Sequence, residues 1–369
     1  MSHLVGLSFV YLRERTTELG TYCWFIYVLS FTFFRYTLSC MKYDFFSMGN
    51  ILTDILISVE DRDLAALGIQ KGTMKIIDHQ EEEKILRYLA GYKTKYYCGG
   101  SAANTMITLS ELGPKVVLCG RAGNDSFGQI YIDRLSERKN LTSAIVREDG
   151  DTGFSIVLIT PDYERSMNTN LGICKNFSPE DIDEKELKET SMLYFTGYMW
   201  DTENQKQAVM KALDICKLND IKVAFDVADK MSIQRYRDDY LTIIQQHCDY
   251  VFANRKESAT LFDNDNPEEC AKLLSELGCT AIVKLGSKGA LIKAPGADII
   301  PIPVKDFTTC VDTTGAGDTF AAGFLYGLDK KKSLEEAGSF ASIAASAIVA
   351  KFGGQFNKAE IEELKKKLD

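Results

Sequence analysis

The run 311–324, VDTTGAGDTFAAGF, holds the densest set of residues able to do chemistry. Gly315, Ala316 and Gly317 open a stretch of small and apolar residues that predicts a helix over 318–328. Glycine lets a backbone approach a ligand closely. The unpaired N–H groups and the positive dipole end of a helix start then face an anion. This is not the dinucleotide fingerprint, because Phe320 stands at its third glycine, and no Gly-Lys-Ser/Thr follows as in a Walker A loop. Asp318 falls in the first turn. There it either stabilises the helix dipole or, beside an anion site, accepts a proton from an attacking hydroxyl.

Elements that could position such a group alternate along the chain from Met41 onward. Short β-branched or aromatic runs at 115–119, 191–195, 221–225, 249–253 and 280–285 read as strands. Amphipathic stretches such as 203–218 and 267–278 read as helices between them. Such alternation implies an α/β fold with a largely parallel sheet covered on both faces. Asp226, Asn254 and Gly286 each end a strand, and open parallel sheets bind ligands at the carboxyl ends of their strands. Residues 50–60 and 152–172 break the alternation and read as antiparallel strands. They either project from the sheet edge over the crevice or form ordinary edge strands.

Composition bounds the function. Of 369 residues, 45% are hydrophobic and 26% charged, with 27 Gly and 7 Pro, which excludes a disordered or multi-span membrane chain. The net charge of −9 argues against nucleic acid as a partner, since phosphate-backbone binding is driven by clustered Lys and Arg. Ten cysteines form no CxxC, and His3, His79 and His247 lie far apart, so neither a zinc site nor a disulfide framework is indicated. Cys119 and Cys216 sit in apolar runs and read as buried thiols of a reducing, cytoplasmic compartment. Residues 1–40 stand apart: the charge-free run from Leu19 to Phe34 has 16 residues, short of the roughly 20 that span a bilayer. We read 1–40 as an extension preceding a start at Met41, ahead of a membrane anchor or signal sequence.

Six fragments in order carry a resemblance. DTTGAGDTFAAGF resembles the C-terminal signature of the ribokinase-like (PfkB) family of sugar and nucleoside kinases, and GGSAANTMITLSELG (99–113) its N-terminal signature. GNILTD (49–54), GNDSFG (123–128), NRKE (254–257) and KLGSKG (284–289) fall at the family's positions between them. The resemblance covers 41–369. It implies a ribokinase-like three-layer α/β sandwich with a small β-sheet lid from roughly 50–60, 92–98 and 152–172. It also implies ATP-dependent phosphorylation of a CH₂OH group with Mg²⁺, by a monomer or homodimer.

Matched position by position, the resemblance makes Asp318 the general base and Gly315, Ala316 and Gly317 the anion hole. Asn254 and Glu257 match an NxxE motif that positions metal-bound water and phosphate, although the same pair also reads as a helix capping box. Lys284, Gly286 and Gly289 fall on the nucleotide side, while Asp312 and Thr314 correspond to a monovalent-cation site, for K⁺ in many members. Asn50 and Asp54 match positions that hold sugar hydroxyls, with Gly99, Gly100 and Asn104 beside the same sugar.

The acceptor is read from smaller signs. GNxLxD and ERSMNTNLG (164–172) resemble adenosine kinase-type members, including an Arg165 placed to steer phosphate. Tyr163, Phe177, Tyr198, Met199 and Trp200 are the candidates to sandwich a purine. Ser101-Ala102-Ala103 departs from the Ser-Thr-Gln typical of animal adenosine kinases. The expectation is a nucleoside, adenosine, ahead of a free sugar such as ribose or fructose, and ahead of an inactive ligand-sensing copy.

Overall fold

The structure is a computed structural model describing residues 41–305 and 309–368, so the reading of 1–40 lies outside the described residues. Fourteen strands are described. They are β1 (Tyr43–Met48), β2 (Leu52–Ser58), β3 (Met74–Ile76), β4 (Thr94–Gly99), β5 (Val116–Gly123), β6 (Leu141–Glu148) and β7 (Thr152–Ile159). The rest are β8 (Arg165–Gly172), β9 (Thr190–Thr196), β10 (Lys222–Asp226), β11 (Tyr250–Asn254), β12 (Thr280–Lys284), β13 (Ala290–Lys293) and β14 (Ile300–Ile302).

Nine of them form one sheet in the order β14-β13-β12-β11-β10-β9-β1-β5-β6. From β12 to β6 every pairing is parallel, and only β13 and β14 run against their neighbours. The strands are apolar on both sides because both faces are covered. Phe45, Leu118, Tyr194, Ala224 and Phe252 point to helices 101–112, 316–329 and 334–348, while Phe46, Val117, Phe195, Phe225 and Val251 point to helices 203–218 and 230–247. Three layers result, as a ribokinase-like α/β fold requires.

The other five strands form a separate sheet, β3-β8-β7-β2-β4. Its Ile55, Ile57, Ile156 and Leu158 pack on helices 61–67 and 79–88 through Leu64, Leu67 and Ile85. Antiparallel pairing was expected of 50–60 and 152–172. It holds for β7 with β8, but β2 pairs with β7 in parallel and takes its antiparallel partner from β4. Strand alternation along a single stretch reports exposure, not the direction of a neighbour distant in sequence, which is why the sequence misses this.

Among the described residues no helix is long and apolar enough to cross a membrane, and the described cysteines are free thiols, all buried but Cys310. Cys119 and Cys216 are buried as expected.

Candidate active site

The carboxyl ends of β1, β10, β11 and β12 and the start of helix 316–329 meet at one place. Gly315 precedes the helix with φ +71°, a left-handed value that favours glycine, and a Cβ there would stand 2.7 Å from the Cα of Gly354. The turn is therefore seated backbone on backbone. Just ahead of it, buried Asp312 accepts from the Thr314 N–H at 2.8 Å and hydroxyl at 2.6 Å with one oxygen, and from the Gly353 N–H at 2.9 Å with the other. Asp312 has no cationic side-chain partner among the described residues. Neutral dipoles alone meet its charge, a setting that suits a monovalent cation held by backbone carbonyls.

Asp318 is enclosed on several sides. The Ser101 hydroxyl donates to its Oδ1 at 2.6 Å and the Asn104 amide to its Oδ2 at 3.1 Å. Burial raises its carboxyl above the ordinary value of 3.8, those two donors pull it back, Asp226 raises it and Lys284 lowers it. Gly100, at φ +95°, turns the chain from β4 into helix 101–112, which carries both donors. The Asn104 amide thus donates to the carboxylate.

Lys284, ending β12, forms a buried ion pair with Asp226, ending β10, at 2.7 Å. Its ammonium lies 3.3 Å from where a Cβ on Gly317 would be, so it stands at the helix start. Burial pulls its pKa down, but the Asp226, Glu257 and Asp318 carboxylates outweigh that and leave it raised. Asn254 and Glu257 form the anticipated capping box: Asn254 Oδ1 accepts from the Lys256 and Glu257 N–H groups, and its own N–H donates to Glu257 Oε2 at 2.6 Å. Burial raises the Glu257 carboxyl, with Lys284 opposing.

Gly99 and Asp54 touch across β4 and β2; a Cβ on Gly99 would fall 2.2 Å from the Asp54 carboxyl, so only glycine leaves room for it. Burial and the nearby Asp318 push Asp54 up to about 7, while Arg165 on β8 lowers it. Asp54, Asp318 and Arg165 are thereby brought into one electrostatic neighbourhood, and Arg165 has no ion-pair partner among the described residues. Asn50 is turned elsewhere: it donates to the Tyr198 carbonyl at 3.1 Å and accepts from Gln205 at 2.7 Å. Gly289 is buried and Gly286–Lys288 form an exposed turn beyond Lys284.

One reading needs correcting. Phe177, Met199 and Trp200 are core residues beneath the sheet, 1%, 1% and 6% exposed, and cannot sandwich a base; Tyr163 and Tyr198 retain exposure. Ser101, part of the 99–113 signature but not named there as a site residue, makes the shorter of the two bonds to Asp318. Asp226 was noted as a strand end but not as the partner of Lys284, which pairing at adjacent crossovers could have suggested.

Three carboxylates, of Asp226, Glu257 and Asp318, surround the Lys284 ammonium at a glycine-opened helix start on the carboxyl edge of a parallel sheet. The family model for the pfkB family carbohydrate kinases matches residues 72–361, so the chain belongs to that family and is an ATP-dependent small-molecule kinase. Among solved structures, an adenosine kinase from Sinorhizobium meliloti is 30% identical with a TM-score of 0.83, covering 88% of this chain and 99% of its own. A probable sugar kinase from Rhizobium etli is also 30% identical, with a TM-score of 0.84 over 89% of this chain and 100% of its own. A 5-dehydro-2-deoxygluconokinase from Clostridium botulinum is 29% identical over 73% of this chain and 83% of its own length.

Proposed function

We propose that the chain transfers the γ-phosphoryl group of ATP to a CH₂OH hydroxyl, the 5′-hydroxyl of a nucleoside and specifically adenosine. The observation that carries the chemistry is Asp318: a partly buried carboxylate at the first turn of a glycine-opened helix, held by Ser101 and Asn104 with Lys284 alongside. The acceptor hydroxyl gives its proton to Asp318 as its oxygen forms the new bond to phosphorus. The bond from phosphorus to the β-phosphate oxygen breaks and ADP leaves. N–H groups of 315–317 and the Lys284 ammonium receive the charge on the migrating group, the part such a loose transition state most needs. Gly286 and Gly289 border the nucleotide, while Asp54, Gly99 and Arg165 of the small sheet face the acceptor.

A divalent ion fits this donor set. Buried Asp226 and Glu257 bring two carboxylates against the single Lys284 ammonium, yet among the described residues no three His, Cys, Asp or Glu side chains form a cage. Mg²⁺ suits such a site because it keeps most of its waters, and Glu257 would hold it through one. Bound there, it would neutralise phosphate charge. Asp312 and the Thr314 carbonyl would hold K⁺.

A second reading, a sugar kinase, is favoured by the burial of Phe177, Met199 and Trp200, which leaves fewer groups for a purine, and by the sugar kinases among the relatives. ADP release on mixing with adenosine, other nucleosides, ribose, fructose and 5-dehydro-2-deoxygluconate decides. AMP from adenosine supports the proposal, a sugar phosphate instead selects the second reading, and no ADP release with any acceptor rejects both. Thermal shifts with the same panel report binding separately.

A further inference from the structure

The polarity of the hydrogen bonds behind Asp318 is set by a group outside the kinase motifs. Gln355 donates through Nε2 to the Cys98 carbonyl at 2.6 Å and to Asn104 Oδ1 at 3.1 Å. A backbone carbonyl can only accept, so the nitrogen of Gln355 must face Cys98. Its second N–H then reaches the oxygen of Asn104, which leaves the Asn104 N–H₂ turned to Asp318 Oδ2. Each amide orientation follows from the one before it, starting at a fixed main-chain atom, and no step depends on choosing which amide atom is which.

We propose that Gln355 is a positioning residue: anchored to the Cys98 carbonyl, it pins the Asn104 amide with its donors toward Asp318. Asp318 therefore meets two donors from one helix, the Ser101 hydroxyl being the other. A free amide could rotate and present its oxygen to the carboxylate, replacing an attraction with a repulsion. The proposal deepens the reading of Asp318 as the base and rests on it.

The charged and titratable groups facing Asp318 come from several elements: Asp54 of β2, Asp226 of β10, Lys284 of β12, and Tyr194 and Tyr198 at the end of β9. None of them contacts Gln355 in the described hydrogen bonds, so Gln355→Met alters the Asn104 arm and leaves that field in place, whereas Gln355→Glu also adds a charge, which makes Gln355→Met the deciding variant. Gln355→Glu keeps the shape but supplies acceptors, which draws the Asn104 N–H₂ away from Asp318. Gln355→Met removes the bond without adding an acceptor.

The test is a ¹³C NMR titration of the Asp318 carboxyl in the full chain, its signal assigned by its loss in Asp318→Asn. Gln355→Glu should move the midpoint upward by about one pH unit and Gln355→Met by less, the size expected for losing one hydrogen bond to a carboxylate. The acid limb of kcat/KM, measured with adenosine and ribose as acceptors, should move in the same direction, with kcat falling more than KM rises. An unmoved midpoint in Gln355→Met overturns the proposal, as does a fall in melting temperature alone. In the wild-type chain the Asn104 side-chain amide signals should titrate with the Asp318 midpoint. Their indifference to it overturns the proposal even where a variant fails to fold. If Asp318→Asn keeps its turnover, the base assignment fails instead, and the two failures are told apart.

Discussion

Lys284 Nζ reaches Asp226 Oδ2 at 2.7 Å across the end of β11, joining two strands that are not neighbours in the sheet. The pair closes the carboxyl edge over Asn254, whose Cα partner on β12 is Lys284 itself. Asp226 is buried and Lys284 largely so, and removing the lysine leaves the carboxylate without its cationic partner. Lys284→Met should cost about 3–5 kcal/mol in urea unfolding, and adding Asp226→Leu should recover much of it. If the double variant is as unstable as the single one, the cost comes from packing and not from the stranded carboxylate.

Asp318→Asn keeps the size of the side chain and removes its capacity to take a proton. Turnover of the active acceptor should fall by about 10²–10⁴-fold, with little change in melting temperature. Near-normal ADP release by the variant would remove Asp318 from the mechanism.

Asp54 links stability to pH. Its folded value of about 7 lies above the ordinary 3.8 because burial and Asp318 oppose its charge, so the folded chain holds that proton more tightly than the unfolded chain. Stability attributable to Asp54 is complete below the unfolded value and is lost as pH rises toward the folded one. Urea midpoints should therefore drop more between pH 5 and pH 8 in the wild type than in Asp54→Asn. Parallel slopes would show that Asp54 does not titrate in this window.

Gly315→Ala places a methyl where φ is +71° and the Gly354 Cα is 2.7 Å away. The left-handed backbone alone costs about 1–2 kcal/mol, and the contact forces the turn to shift. Activity should fall by a larger factor than the remaining folded fraction, as measured by circular dichroism beside ADP release. Equal losses would make Gly315 structural only.

Much of the layout is legible in the sequence. Helix 203–218 matches its expected bounds, because Thr202 marks its start and Asn219 its end. The five strand runs are found for the same reason: a strand buried on both faces is a continuous apolar word. What stayed hidden depends on chain ends meeting in space. Asn104 meets Gln355, 251 residues away, and Asn50 meets Gln205, partners that no local pattern reports. Phe177 and Trp200 turned out to be core because an aromatic near a strand end is apolar whether it lines a crevice or fills a core. Gln355 carries no local pattern at all; only its partners reveal it.

The chain leaves β4 at Gly99 and enters the helix bearing Ser101 with one residue, Gly100, in between. The edge of the small sheet and the hydroxyl that holds Asp318 are thus joined through one residue. A swing of that sheet, were one to occur, would carry Ser101 with it and change the hydrogen bonding of the carboxylate.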